Sequence, residues 1–200
     1  MDSQTKTELQ SANEGCIAML IEMARSDREP PFALVRSLAP RLLELDAVAR
    51  EKAGDRPYLL LDFRFQDGPW WQAHLEGRGE TSEGPWASCF PRMAAVELAR
   101  RSLTLAWHTA GTRLAEFSVS LGISREVTSV LCRMKLEELE RLAELRIDVM
   151  RPRWVNRLSL WRRLLDAAKS GDVQALNFVD RLSAQLLATD LLKSRSIRRE

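Results

Sequence analysis

Apolar residues recur along most of this chain at three- and four-residue spacing, the period of a helix with one buried stripe. Leu9, Ile17, Leu20, Ile21 and Ala24 form such a stripe over 7–25, interrupted by Gly15. Glu29-Pro30-Pro31 stops it, and Pro31 is placed to open a second helix, where its missing N–H costs nothing. Phe32, Leu34, Val35, Leu38, Leu42, Leu45 and Val48 predict that helix, bent at Pro40 and ended by the Lys-Ala-Gly-Asp run at 52–55.

Over 57–76 the period shortens. Leu59, Leu61, Phe63 and Phe65 alternate with Leu60, Asp62 and Arg64, and Trp71, Ala73 and Leu75 follow Asp67-Gly68. Alternation on both sides of Asp-Gly predicts a small β-hairpin at 58–76, weakened in its second strand by Pro69. The glycine-rich polar run at 77–85 has no phosphate-binding spacing and is the best boundary in the chain. It divides a helical region with the hairpin, 1–85, from a second helical domain, 86–200.

Beyond Pro91 the pattern is helical almost to the end. Helices are predicted at 91–110 and 112–120, then from a Ser124 cap through Met134, and again over Leu136, Leu139, Leu142 and Leu145. Arg151-Pro152 breaks the series. Two further helices, 154–169 and 172–193, are separated by Ser170-Gly171-Asp172, a stop followed by a cap. The expected fold is mainly α, with a helix-turn-helix-like segment and a possible small β-hairpin.

Composition narrows the function classes. The 200 residues are 45% hydrophobic and 29% charged, which suits a folded domain rather than a disordered tail. No apolar run reaches the roughly 18 residues of a membrane span. The polar start lacks a basic region followed by an apolar stretch, so a cytoplasmic location is expected. Cys16, Cys89 and Cys132 stand far apart with no metal-ligand spacing, so neither a disulfide framework nor a zinc site is expected, and no cofactor. Net charge is +2 but uneven: residues 1–110 hold 13 Lys and Arg against 16 Asp and Glu, residues 111–200 hold 17 against 12. A basic second half hints at nucleic acid or another acidic partner, although solvated helix faces also carry arginines.

Catalysis finds no constellation. His74 and His108 are the only histidines, and neither belongs to a recognised motif. The chain has no GxGxxG opening a helix, no GxxxxGK[ST] and no GxSxG. Trp154 and Trp161 lie seven apart, and with Leu158 and Leu165 they predict a helical face able to meet a partner helix, or simply to be buried. Arg153, Arg157, Arg162 and Arg163 would flank that face as phosphate contacts.

The most specific segment is 113–145. Gly122 suits a left-handed turn, Ile123 plugs it into the core, Ser124 caps the next helix, and Val127, Val130 and Leu131 hold that helix in place. Set against the usual helix-turn-helix pattern, Ile123 and Leu131 fit, while Thr128 stands where an apolar residue is usual, with Val127 one residue early. Ser124, Arg125, Thr128 and Ser129 would then face DNA backbone or a partner.

The same run, from Leu121-Gly122-Ile123-Ser124 through Leu131 and Leu136 to Leu142-Ala143-Glu144, resembles the central segment of the FlhD family of flagellar master regulators. FlhD-like relatives of greater length occur on integrative conjugative elements. The resemblance covers residues 95–146. It implies an all-helical, oligomer-forming module that works with an FlhC-like partner on promoter DNA, the partner supplying the zinc site and much of the DNA contact. The family's cysteine after this segment has no counterpart in 145–151, so its inter-subunit disulfide is not implied. The expected function is transcriptional co-activation. A stand-alone helix-turn-helix protein and a non-catalytic adaptor or chaperone remain as alternatives, and an enzyme comes last.

Overall fold

The computed structural model describes residues 3–75, 89–111 and 119–196, which are mainly helical with one small antiparallel sheet. The boundary and linker expected at 77–85, and most of the helix expected at 112–120, lie outside these residues. The described parts on both sides of 85 feed one contiguous apolar core.

Helix α1, Ser3–Arg25, is central and packs on α2 (Ala33–Leu43), α3 (Ala47–Gly54) and α5 (Arg92–Gly111). With neighbours on several sides it buries more than a stripe, from Leu9 through Asn13 and Cys16 to Met23. Gly15 is where α5 crosses: a Cβ there would lie 2.6 Å from Leu98 Cδ1. The second expected helix is in fact two. The chain turns after Leu43, and Asp46 caps α3 by accepting from the Ala49 N–H at 2.7 Å. Val48, counted in the apolar stripe, is therefore exposed.

The hairpin is also rearranged. Its first strand exists as β1, Leu61–Asp62, but β1 pairs with β2, Arg151–Pro152, far along the chain. The residues expected as the second strand form helix α4, Gly68–Leu75. Asp67 is a helix cap rather than a turn residue, its carboxylate accepting from the Trp70 N–H at 3.0 Å. Pro69 explains the choice, since it lacks the N–H a strand ladder needs but fits a first helical turn.

Further on, Val119 and Ser120 are helical, Gly122 turns the chain with φ +61°, and Ser124 caps α6, Arg125–Leu131. Helix α7, Leu136–Leu145, follows, with Glu138 accepting from the Lys135 N–H. Then come α8, Leu158–Ser170, and α9, Val173–Ser196, joined at Gly171 and started by Asp172, which accepts from the Ala175 N–H. Helices α6 and α7 pack on α5, while α8 packs on α2, α3 and α9.

The segment from Tyr58 to Phe65 runs through the middle, almost wholly buried and almost without regular structure. A buried backbone must find partners for its polar groups. Asn13 of α1 supplies three: its side-chain amide donates to Gly54 O and Tyr58 O, and its Oδ1 accepts from the Leu60 N–H. Leu59 N–H donates to Ser120 O, Ser124 N–H donates to Phe65 O, and the Trp71 indole donates to Phe63 O. Replacing Asn13 by leucine removes three hydrogen bonds at a fully buried position. A loss of about 2–4 kcal/mol is expected in urea unfolding, and a change under 1 kcal/mol would refute this accounting.

Candidate binding cleft beside the Gly122 turn

Arg153 completes the support of the buried segment. Its Nε donates to Leu59 O at 3.0 Å, and its Nη2 donates to Leu61 O at 3.1 Å and Leu121 O at 2.8 Å. Its own N–H donates to Leu60 O, and its carbonyl accepts from the Trp161 indole. One side chain thus joins the buried segment, the Gly122 turn and the loop into α8. Arg153 is 5% exposed, and burial draws its guanidinium below the usual range, with Asp62 and Asp190 opposing that shift. A planar, permanently charged fork with several fixed donors suits this role, which an ammonium cannot fill.

The next residue, Trp154, has φ +54°, and Arg64, just beyond β1, has φ +52°. Left-handed backbone at a non-glycine residue costs about 1–2 kcal/mol. These are the only two such residues among those described, and both line one cleft of about 810 Å³. Its walls come from β1 and the loop after it, from 151–157, from Glu126 of α6, and from Asp190 and Lys193 of α9. Two of its ion pairs are internal: Arg151 with the largely buried Asp62 at 2.8 Å, and Arg64 with Asp67 at 3.5 Å. Among the described residues Arg157, Asp190 and Lys193 have no such partner. The Trp154 indole N–H is shielded from solvent and has no acceptor, although the ring meets Tyr58 edge-on at 5.7 Å.

Behind the cleft, Arg56 pairs with Asp180 of α9 at 2.9 Å. Burial pushes the Asp180 carboxyl and the Tyr58 phenol above their ordinary values, with Arg56 lowering both. Nearby, Cys16 is fully enclosed, and burial raises its thiol, which leaves it inert.

A second, shallower groove of about 520 Å³ shares Pro69 and Glu126 with the cleft and runs between α4 and α6 past Gln72, Arg125, Ser129 and Arg133. Arg133 donates to Gln72 Oε1 at 3.0 Å, while the exposed Arg125 has no ion pair among the described residues.

The expected site residues divide accordingly. Arg125 and Ser129 are exposed on α6. Ser124 is buried and spent on the Val127 N–H, and the Thr128 hydroxyl donates to Ser124 O, so these two build the helix rather than face a ligand. Arg157 reaches the cleft. Arg162 and Arg163 are exposed on α8, whose packing partners differ from those of α6; the Arg163 guanidinium lies 5.6 Å from the Phe178 ring. Further expectations are overturned. Arg153 is structural and meets no phosphate. Trp161 and Leu165 are each 1% exposed, so they belong to the core rather than to a partner surface. Trp154 precedes α8 in a left-handed turn, so it shares no helical face with Trp161, and Leu158 is half-buried against the core.

Arg64, Arg151, Asp190 and Lys193 also line the cleft, although none is an expected site residue. Each reads locally as a solvated charge, and nothing near them in the chain signals that β1, β2 and α9 converge. Among the described residues no cluster of three His, Cys, Asp or Glu is arranged for a metal ion, and no helix is long and apolar enough to cross a membrane. Compared with known proteins, the chain is matched by no family model, no curated protein and no solved structure.

Proposed function

We propose that this chain is a non-catalytic transcriptional regulator that meets promoter DNA through the exposed face of α6, together with a partner protein of the FlhC type. The observation that carries the reading is the presentation of α6. It is a short helix, set by the Gly122 turn, capped by Ser124 and seated on Val127, Val130 and Leu131. Its outer face offers Arg125 and Ser129, with Arg133 just beyond its end, beside an open groove. The likeness of 121–144 to FlhD supports the same assignment and supplies the partner.

Three cationic or hydroxyl groups give modest DNA affinity by themselves, because phosphate contacts set both binding strength and its salt dependence. Anisotropy of a labelled duplex, titrated with this chain alone and with an FlhC-like protein, tests the proposal. Affinity should rise with the partner and fall with salt, and Arg125→Ala should lower the salt slope by about 1. Binding that ignores both salt and Arg125→Ala would remove the DNA reading.

A second reading, an adaptor for another protein, is favoured by one feature: α9 leaves Phe178 and Leu192 exposed at 48% and 61%. Stable capture of a partner without salt-sensitive DNA affinity would select it.

A further inference from the structure

We infer that the cleft between β1, the 151–157 loop and the end of α9 binds a small phosphate monoester of mononucleotide size. This goes beyond the DNA reading, which depends on Arg125 and the α6 face. Three observations converge on the cleft. Its volume, about 810 Å³, falls within the range of small-molecule sites. Both non-glycine residues held at positive φ, Arg64 and Trp154, are on its wall. Such backbone outliers persist where the surroundings enforce them, and they gather at ligand sites. Arg157 and Lys193 bring cationic groups from two different elements, and neither has an ion pair among the described residues.

The charges select the class of ligand. Arg157 and Lys193 suit one phosphate, held by charge-assisted hydrogen bonds. Asp190 and Glu126 stand on the same walls and disfavour a polyphosphate by like-charge repulsion. Asp190 instead fits hydroxyl or amino donors, and Trp154 offers an aromatic ring beside them. A monoester that carries donors and a planar ring uses all of these groups. A bare anion uses only the first two.

The walls are pre-formed from buried parts. Arg153 and the Trp161 indole fix the loop on either side of Trp154, and Asp62 fixes Arg151. Ligand binding therefore calls for little ordering of the backbone; Arg157 and Lys193 are exposed side chains outside this frame, and Asp190 is half-buried.

Isothermal titration of the full chain with AMP, adenosine and inorganic phosphate, without DNA, is the test. AMP should bind at least about tenfold more tightly than either fragment. Arg157→Ala and Lys193→Ala should each weaken AMP by about tenfold while leaving adenosine unchanged, and circular dichroism should show both variants folded. Asp190→Asn should weaken AMP and adenosine alike. No heat with AMP would overturn the inference, as would AMP no tighter than inorganic phosphate or an affinity unmoved by Arg157→Ala and Lys193→Ala. Because no arm involves Arg125 or DNA, failure here leaves the DNA reading standing, and failure of DNA binding leaves this one standing.

Discussion

Replacing Arg153 by methionine is expected to cost about 3–5 kcal/mol of folding stability, a large share of what a domain of this size has. Methionine fills much of the same space but donates nothing. The carbonyls of Leu59, Leu61 and Leu121 would be left in the core without the guanidinium that now meets them. Each stranded buried acceptor costs about 1–3 kcal/mol, partly offset because a buried cation no longer needs desolvating. Lysine at 153 should recover less than half of the loss, since one ammonium cannot meet divergent carbonyls as the fork does. Urea denaturation followed by far-UV circular dichroism measures both variants. A methionine variant within 1 kcal/mol of the parent would show that the fork is dispensable and that the cleft has some other support.

That buried arginine also marks the limit of what the sequence discloses. Features set by neighbours in the chain are readable: the Gly122 turn and Ser124 cap, the stop at Gly171 and the cap at Asp172 all stand where local chemistry places them. Where one local signal has two meanings, the reading fails. Asp67-Gly68 serves a hairpin turn or a helix start, Pro69 tips it towards the helix, and Trp71 holds that helix in place, closing its indole onto the Phe63 carbonyl and packing face to face with Phe65. What depends on distant partners is not readable at all. Arg151-Pro152 carries no trace of its pairing with Leu61 and Asp62, and an arginine is expected at the surface unless its partners are known. The alternation of Leu59, Leu61, Phe63 and Phe65 with Leu60, Asp62 and Arg64 predicts a strand of a hairpin. In the fold Leu60 and Asp62 are buried as well, because helices and the 151–157 loop enclose the segment from both sides.

The candidate site follows the same division. The α6 face is legible because one glycine, one cap and three apolar residues define it. The cleft is not, because its walls come from residues near 62, 126, 153 and 190, each ordinary in its own context. Its two left-handed residues carry side chains that normally avoid that conformation, so no propensity argument points to them. The long-range hydrogen bonds of Arg153 hold Trp154 there, beside the cleft.

Gly122→Ala should test the junction of these two parts, with an expected loss of about 3 kcal/mol. Two costs add. Alanine at φ +61° is strained by about 1–2 kcal/mol, the penalty that makes glycine the usual residue of such turns. The new Cβ would also stand 2.3 Å from Arg153 Nη1 and 2.9 Å from Leu187 Cδ2, which forces apart groups that have no room to move. The Arg153 part of the second cost depends on the guanidinium and the first cost does not, so a double-mutant cycle isolates that part. In the Arg153→Met background the clash with the guanidinium is gone while that with Leu187 remains, so Gly122→Ala should then cost its backbone strain and the Leu187 contact, a coupling of about 1 kcal/mol. A glycine needed for the turn alone would give strictly additive losses. The glycine that reads as the hinge of a helix-turn-helix is, by this geometry, also the seat of the guanidinium that supports the neighbouring cleft.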